Sequence, residues 1–287
     1  MTLRLGRQSF ADDRRLIMAI VNRTPDSFYD KGATWSEDKA FDRVAQVVDE
    51  GAEIIDIGGI KAAPGEEIAV EEEMRRTVGF VERVRGVHPG VVISVDTWRS
   101  QVARAVCEAG ADVVNDAWGG VDPELVDVAA KYDAAIICTH TGGVVPRTRP
   151  HRIEYADVVA SAVADTTAYA ERALAAGVDR ESIVIDPAHD FGKTTQDSLD
   201  LTRRLDELVA TGWPVLVSLS NKDFVGEALD LPVGERLIGT LAATAIATMQ
   251  GARIFRVHEV TETRQVVDMV DVILGRRPPA RTIRGLA

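Results

Sequence analysis

Eight polar residues stand where short apolar runs end: Asn22, Asp56, Asp96, Asn115, His140, Asp186, Lys222 and His258. Their types suggest a chemistry. A carboxylate such as Asp186 accepts a pair of hydrogen bonds from an amidine-like N–H edge. Asn115 offers donors and acceptors, and Lys222 binds a carbonyl oxygen. Such a set suits a flat, nitrogen-rich heterocycle. Arg256 and His258 lie two residues apart on one predicted strand and point the same way, whereas Arg253 has the opposite parity. Two cation-capable side chains on one face suit an anion such as phosphate. Taken singly, an Asn or Asp after a strand is commonly a turn former or a cap. Eight such tips gathered at one place require a ligand or a network to satisfy them.

The elements that would gather them are legible. Ile183-Val-Ile-Asp186 is an apolar run that reads as a buried parallel strand. Pro187 cannot donate to the ladder, so Asp186 is left at the C-terminal tip. The same design recurs at Leu16–Val21, Glu53–Ile57, Val91–Val95, Asp112–Asn115, Ala134–His140, Pro214–Ser220 and Arg253–His258. Helical patterns separate these runs. Ser36 is a predicted N-cap, Asp122-Pro123 a predicted helix start, and single helices are expected from Glu66 to Arg85 and from Thr195 to Thr211. Eight alternating units predict a (β/α)8 TIM barrel, a single-domain α/β fold over residues 16–275. Residues 1–15 form an N-terminal extension and 276–287 a loose tail in this reading. An open doubly wound sheet fits less well, because the spacing has no break and the first βα loop has no Gly-x-Gly-x-x-Gly. In a barrel all C-terminal strand ends meet at one mouth.

Composition narrows the class. The chain has 287 residues, 46% hydrophobic and 27% charged, with a net charge of −12. Acidic and basic residues are interleaved, which argues against a nucleic-acid-binding body or an anionic membrane surface. A local basic pocket for a small anion remains compatible with that balance. Cys107 and Cys138 read as reduced core thiols rather than a disulfide. No apolar run reaches the ~20 residues that span a bilayer, and no signal peptide is visible, so a cytoplasmic protein is expected.

Several motifs then occur in order from the first strand to the last. They are Asn-x-Thr-Pro-Asp-Ser-Phe (Asn22–Phe28), Asp-Ile-Gly-Gly (Asp56–Gly59), Val-Asp-Thr (Val95–Thr97) and Asn-Asp (Asn115–Asp116). Asp186-Pro, Phe191-Gly-Lys193, Ser220-x-Lys222 and Arg256-Val-His258 follow. Together they resemble dihydropteroate synthase over nearly the whole chain. That resemblance implies a (β/α)8 homodimer of folate biosynthesis, a transferase that joins a dihydropterin diphosphate to p-aminobenzoate and releases pyrophosphate. It implies that Asp96, Asn115, Asp186, Phe191 and Lys222 bind the pterin, and that Phe28 and Ser220 flank the aromatic amine. It also implies that Asn22, Arg256 and His258 hold the pyrophosphate, with Mg2+ on Asn22. Asn22, Lys222, Arg256 and His258 would carry the dissociative chemistry, in which metal and cations stabilise the leaving group.

The chain departs from the family at the rim. The usual Gly-Gly-Glu-Ser-Thr-Arg-Pro-Gly is Gly58-Gly59-Ile60-Lys61-Ala62-Ala63-Pro64-Gly65. Ala62 and Ala63 replace a threonine and an arginine that the resemblance assigns to pyrophosphate and loop ordering. A lost charge-assisted contact is worth about 1.5–3 kcal/mol, or roughly one to two decades in affinity. Lys61 is a partial substitute, one position off. In the sixth loop Ala188, His189 and Asp190 replace Gly-Ile-Gly, which predicts a different backbone route at Asp190. Thr141 replaces a methionine, Ala117 another apolar wall residue, and Asn221 an arginine.

These changes cluster at the mouth and spare the strands. They predict a dihydropteroate synthase homologue with weak or absent synthase activity through poor binding of the pterin diphosphate. A site for an aminobenzoate-like or sulfa-drug-like ligand is expected to persist. The competing readings are an active synthase with a rearranged second loop and a non-catalytic pterin-binding or aromatic-ligand-binding protein. A barrel enzyme that moves methyl groups from a reduced pterin to a corrinoid is disfavoured by the Thr24–Phe28 loop and by Ser220-x-Lys222.

Overall fold

The computed structural model describes residues 2–24, 36–61, 64–148 and 153–284. Phe28, Ala62 and Ala63 lie outside the described residues. The chain opens with an antiparallel hairpin, β1 (Leu3–Leu5) and β2 (Gln8–Phe10). Eight parallel strands follow: β3 (Leu16–Asn22), β4 (Ile54–Gly58), β5 (Val92–Asp96), β6 (Val113–Asp116), β7 (Ala135–Thr139), β8 (Ile183–Asp186), β9 (Leu216–Val217) and β10 (Ile254–Val257). Their order is β8-β7-β6-β5-β4-β3-β10-β9, and a parallel bridge from Ile185 to Val215 closes the ring. The chain therefore folds as a (β/α)8 barrel.

Alternation within each strand builds two cores. Leu16, Met18, Ile54, Val92, Val113, Val184, Leu216 and Ile254 fill the barrel interior. Their neighbours Ile17, Ala19, Ile55, Ile93 and Phe255 pack outward against the helices, with Val44, Phe80 and Val102 among the partners. Leu3 and Leu5 of the hairpin are buried in the interior cluster, so the floor of the barrel is sealed by apolar side chains. After the last strand, Arg276 donates to the Thr248 carbonyl at 3.0 Å and Arg277 pairs with Asp268 at 2.6 Å.

The helices are α1 (Glu37–Asp49), α2 (Val70–Val87), α3 (Ser100–Glu108), α4 (Leu125–Lys131) and α5 (Val158–Ala175). Then come α6 (Thr195–Arg203), α7 (Leu205–Val209), α8 (Asp223–Leu229), α9 (Leu237–Gln250) and α10 (Val260–Ile273). Ser36 caps α1, accepting the Lys39 N–H at 3.3 Å as its spacing predicts. The Asp122-Pro123 signal marks a different job from the expected one. Helix α4 starts at Leu125, and Asp122 accepts from the N–H groups of Glu124 at 3.0 Å and Ser100 at 2.7 Å. It thereby satisfies an orphan donor at the start of α3. The helix expected over 195–211 is broken at Arg204, and the one expected from Glu66 begins at Val70. Cys107 and Cys138 are free thiols, and burial pushes Cys107 up to about 12. No helix among the described residues is long and apolar enough to cross a membrane.

Candidate active site

Strand register brings three of the predicted polar tips, Asn22, Asp96 and Asn115, to one level. Asn22 pairs with Gly58, Gly58 with Asp96, and Asp96 with Asn115. Their side chains share the parity of Met18, Ile54, Val92 and Val113 below them, so they face the interior at its upper rim.

Asp56, one inward step below this row and paired in register with Ile20 and Ser94, is its hub. Its carboxylate is fully buried and accepts from Arg256 Nε at 2.6 Å, Ser94 Oγ at 2.7 Å and Asn115 Nδ2 at 3.2 Å. Arg256 Nη2 also lies 3.5 Å from Asp96 Oδ2. One guanidinium thus serves two carboxylates. Burial, then the neighbouring Asp56 charge, pushes Asp96 well above the usual carboxylate range, with Arg256 opposing both.

A second network joins β9 and β10. Ser220 Oγ donates to Glu259 Oε2 at 3.0 Å and lies 2.9 Å from His258 Nδ1. The hydroxyl proton is committed to Glu259, so His258 Nδ1 must be the donor in that contact. Asn221 Nδ2 donates to the other Glu259 oxygen at 2.9 Å.

The third group surrounds the sixth loop. Asp186 accepts the Ala188 N–H at 2.7 Å, and burial raises its pKa. Lys222 is lowered by burial against the pull of Asp190 and Asp186. Lys193 Nζ donates to the carbonyls of Phe191 at 2.8 Å and His140 at 3.0 Å, and burial pulls it down to about 7. Phe191 meets Trp118 edge-on at 4.9 Å between centroids, and Trp98 continues the stack at 5.7 Å from Trp118. Lys222 Nζ sits 5.8 Å from the Phe191 ring centre.

Above these groups opens a cavity of ≈ 450 Å³. Asn22, Asp96, Lys222, Arg256 and His258 line it, with Phe191 and Ser220 at its flank. Asn115 and Asp186 are buried and do not line it. Of the departed positions, Ile60, Lys61, Asp190 and Asn221 face the cavity, whereas Ala117, Thr141, Ala188 and His189 do not. Trp118, beside Ala117, stands in the wall instead. Trp118 and Glu259 were not singled out by sequence reasoning, and Asp56 was placed among the polar tips without a ligand of its own. For Trp118 the signal was present: a large aromatic directly follows the alanine that departs from the family.

In the sixth loop Ala188 and Asp190 adopt φ of +51° and +66°, the left-handed geometry that glycine takes without strain. Asp190 is held there because its N–H donates to Ser198 Oγ at 3.0 Å, while its carboxylate accepts from Ser198 Oγ at 3.0 Å and the Phe224 N–H at 3.2 Å. His189 is fully buried, with no hydrogen-bonding partner for either ring nitrogen among the described residues, and burial drives it down to about 3. His140 is also driven to about 3, with Nε2 3.1 Å from Ser161 Oγ.

The model of the pterin binding enzyme family matches residues 18–258. The chain belongs to the pterin-binding enzyme family. Among its relatives is the "inactive dihydropteroate synthase 2" of Mycobacterium tuberculosis, 59% identical over 281 residues, 96% of this chain and 88% of the relative. The dihydropteroate synthase of Bacillus subtilis is 38% identical over 266 residues, 92% of this chain and 90% of that one. The solved structure of the Yersinia pestis dihydropteroate synthase in a sulfonamide drug complex superposes with a TM-score of 0.90 at 32% identity, covering 96% of this chain and all (100%) of that chain.

Among the described residues no group of three or more His, Cys, Asp or Glu side chains could hold a metal. Mg2+ commonly keeps several waters and takes only one or two protein ligands beside substrate phosphates. The amide oxygen of Asn22 at the cavity wall fits that sparse mode, in which the bound anion supplies the remaining donors.

Proposed function

We propose that this protein is a dihydropteroate synthase homologue with weak or absent classical synthase activity that keeps a site for an aromatic amine of the p-aminobenzoate or sulfonamide kind. One observation carries the reading. Asn22, Arg256 and His258, assigned to pyrophosphate, and Ser220 of the aromatic flank line the cavity, whereas the pterin set is split: Asp96, Phe191 and Lys222 line it and Asn115 and Asp186 do not. The Asn115 amide nitrogen is moreover committed to Asp56. The names and identities of the two synthase relatives agree with this ranking.

The roles follow from position. Arg256, Lys222 and His258 attract an anionic leaving group, and Asn22 is the protein ligand for Mg2+ beside it. When bound, that ion would add charge stabilisation to the diphosphate. Ser220 and Phe191 flank the aromatic partner. A homodimer is the proposed assembly. It is supported by apolar side chains on the packed pair α9 and α10: Ile238, Met249, Met269 and Ile273 are 76%, 56%, 58% and 68% exposed.

Titration with dihydropterin diphosphate and with p-aminobenzoate, each with and without Mg2+, tests the reading. Measurable p-aminobenzoate binding with little pterin diphosphate binding is expected. Steady pyrophosphate release at an ordinary kcat would overturn it in favour of an active synthase, as would complementation of a synthase-deficient strain. Ala62→Thr with Ala63→Arg is expected to raise pyrophosphate affinity. No change would place the damage in the loop of Ala188 to Asp190.

A further inference from the structure

The second loop carries no arginine here, yet a guanidinium lies against it. Arg147, from the loop between β7 and α5, donates from Nη1 to the Lys61 carbonyl at 2.7 Å and from Nε to the Glu66 carbonyl at 3.2 Å. The Gly65 N–H returns a bond to the Arg147 carbonyl at 3.0 Å. Two loops that are 82 residues apart at Gly65 and Arg147 are thus tied through both backbone and side chain. The reach of the guanidinium depends on Gly65. A Cβ at that position would lie 2.8 Å from Arg147 Cζ and closer still to Nη2. Gly65 does not use the left-handed region, so the missing side chain serves this approach and not a turn. Arg147 itself sits at φ +64°, a conformation that a non-glycine residue keeps where its surroundings fix it.

The tied segment forms one side of the cavity. Ile60, Lys61 and Pro64 line it from the second loop, and Val144 and Thr148 line it from the loop that bears Arg147. Arg147 does not line it. We propose that Arg147 is a positioning residue that orders the second loop from the fifth, so that Lys61 is held as a cavity cation for an anionic ligand. The loop-ordering cation is thereby relocated and not lost. Only the part concerning a diphosphate rests on the proposed function; the latch stands on the contacts alone.

Gly65→Ala provides a test that leaves Arg147 untouched, because its methyl group occupies the guanidinium's place. Amide exchange at residue 65, corrected for its intrinsic rate, is measured in the wild type, R147A, G65A and the double variant. Binding of inorganic pyrophosphate is measured beside it. Each single variant is expected to speed exchange at residue 65 at least tenfold, with the amides of Ile54–Gly58 unchanged as a control for folding. The double variant is expected to be no faster than either single one, since both remove the same interaction. Unchanged exchange in G65A, or losses that multiply in the double variant, would overturn the latch. Pyrophosphate affinity is expected to fall about tenfold in both single variants. Faster exchange with unchanged affinity would keep the latch and refute Lys61 as the anion's partner.

Discussion

Arg256 gives its Nε–H to Asp56 at 2.6 Å inside the barrel, and the same guanidinium reaches Asp96 at 3.5 Å. Removing the Asp56 charge should therefore act twice. Asp56→Asn leaves Arg256 without its main partner, a loss of about 3–5 kcal/mol for a broken buried pair. Urea unfolding reads that term. The Asp56 charge is also one of the forces that raise Asp96, so in the variant Asp96 should ionise at a lower pH. Carboxylate NMR titration checks the direction; an upward move would mean that Arg256 outweighs Asp56.

The Glu259 carboxylate holds the Ser220 hydroxyl, and through it the orientation of His258. Glu259→Gln removes the charge with little change in shape. Inorganic pyrophosphate should bind about tenfold more weakly, the lower end of a lost charge-assisted bond. Calorimetry with equal affinities for variant and wild type would release Glu259 from any role at the mouth.

Acid stability should depend on two neutral imidazoles. His189 and His140 are held at about 3, far below their ordinary 6.5. Between those values the unfolded chain binds protons that the folded chain refuses. Stability is therefore lost as pH falls from about 6.5 towards 3, by up to about 1.4 kcal/mol per pH unit for each ring. His189→Ile should flatten the acid limb by one ring's share. It should also raise stability at neutral pH by about 1–3 kcal/mol, because an unsatisfied buried polar group is gone. Urea midpoints at pH 4, 5 and 7 give both numbers.

The two left-handed residues of the sixth loop should respond oppositely to glycine. Ala188 gains nothing from its methyl group at φ +51°. Ala188→Gly relieves about 1–2 kcal/mol of strain against about 0.5–1 of added chain entropy, a small net gain. Asp190→Gly relieves similar strain but deletes the bonds to Ser198 and Phe224, a net loss of about 1 kcal/mol or more. Thermal melts of the pair separate the two effects; equal shifts would deny Asp190 its anchoring role.

The barrel was legible because its signal repeats. Each β-branched run ends at a polar tip, and alternation sends Asn22, Asp96 and Asn115 inward above Met18, Val92 and Val113. Helix starts were less legible. Asp122 looks like the cap of its own helix, but its oxygen turns to Ser100 on the previous one, a choice fixed by tertiary packing. The site was legible as a set of residues and not as a surface. Nothing local says that Asn115 spends its amide on Asp56, or that Trp118 stands in the cavity wall. The contact of Arg147 with the second loop was also beyond reach, since it depends on how two distant loops meet.

Leu3 and Leu5 close the base of the cylinder, at the opposite pole from every group that could touch a ligand. The apolar foundation therefore lies a storey below the ligand cavity, and the Asp56–Arg256 pair is where the two meet. A lineage could rewrite the upper storey many times over and still inherit a sound foundation. Engineering that grafts foreign rim segments onto this scaffold should leave Met18, Val92 and Ile254 undisturbed, and an affinity handle fused ahead of Leu3 is the alteration most apt to unseat them.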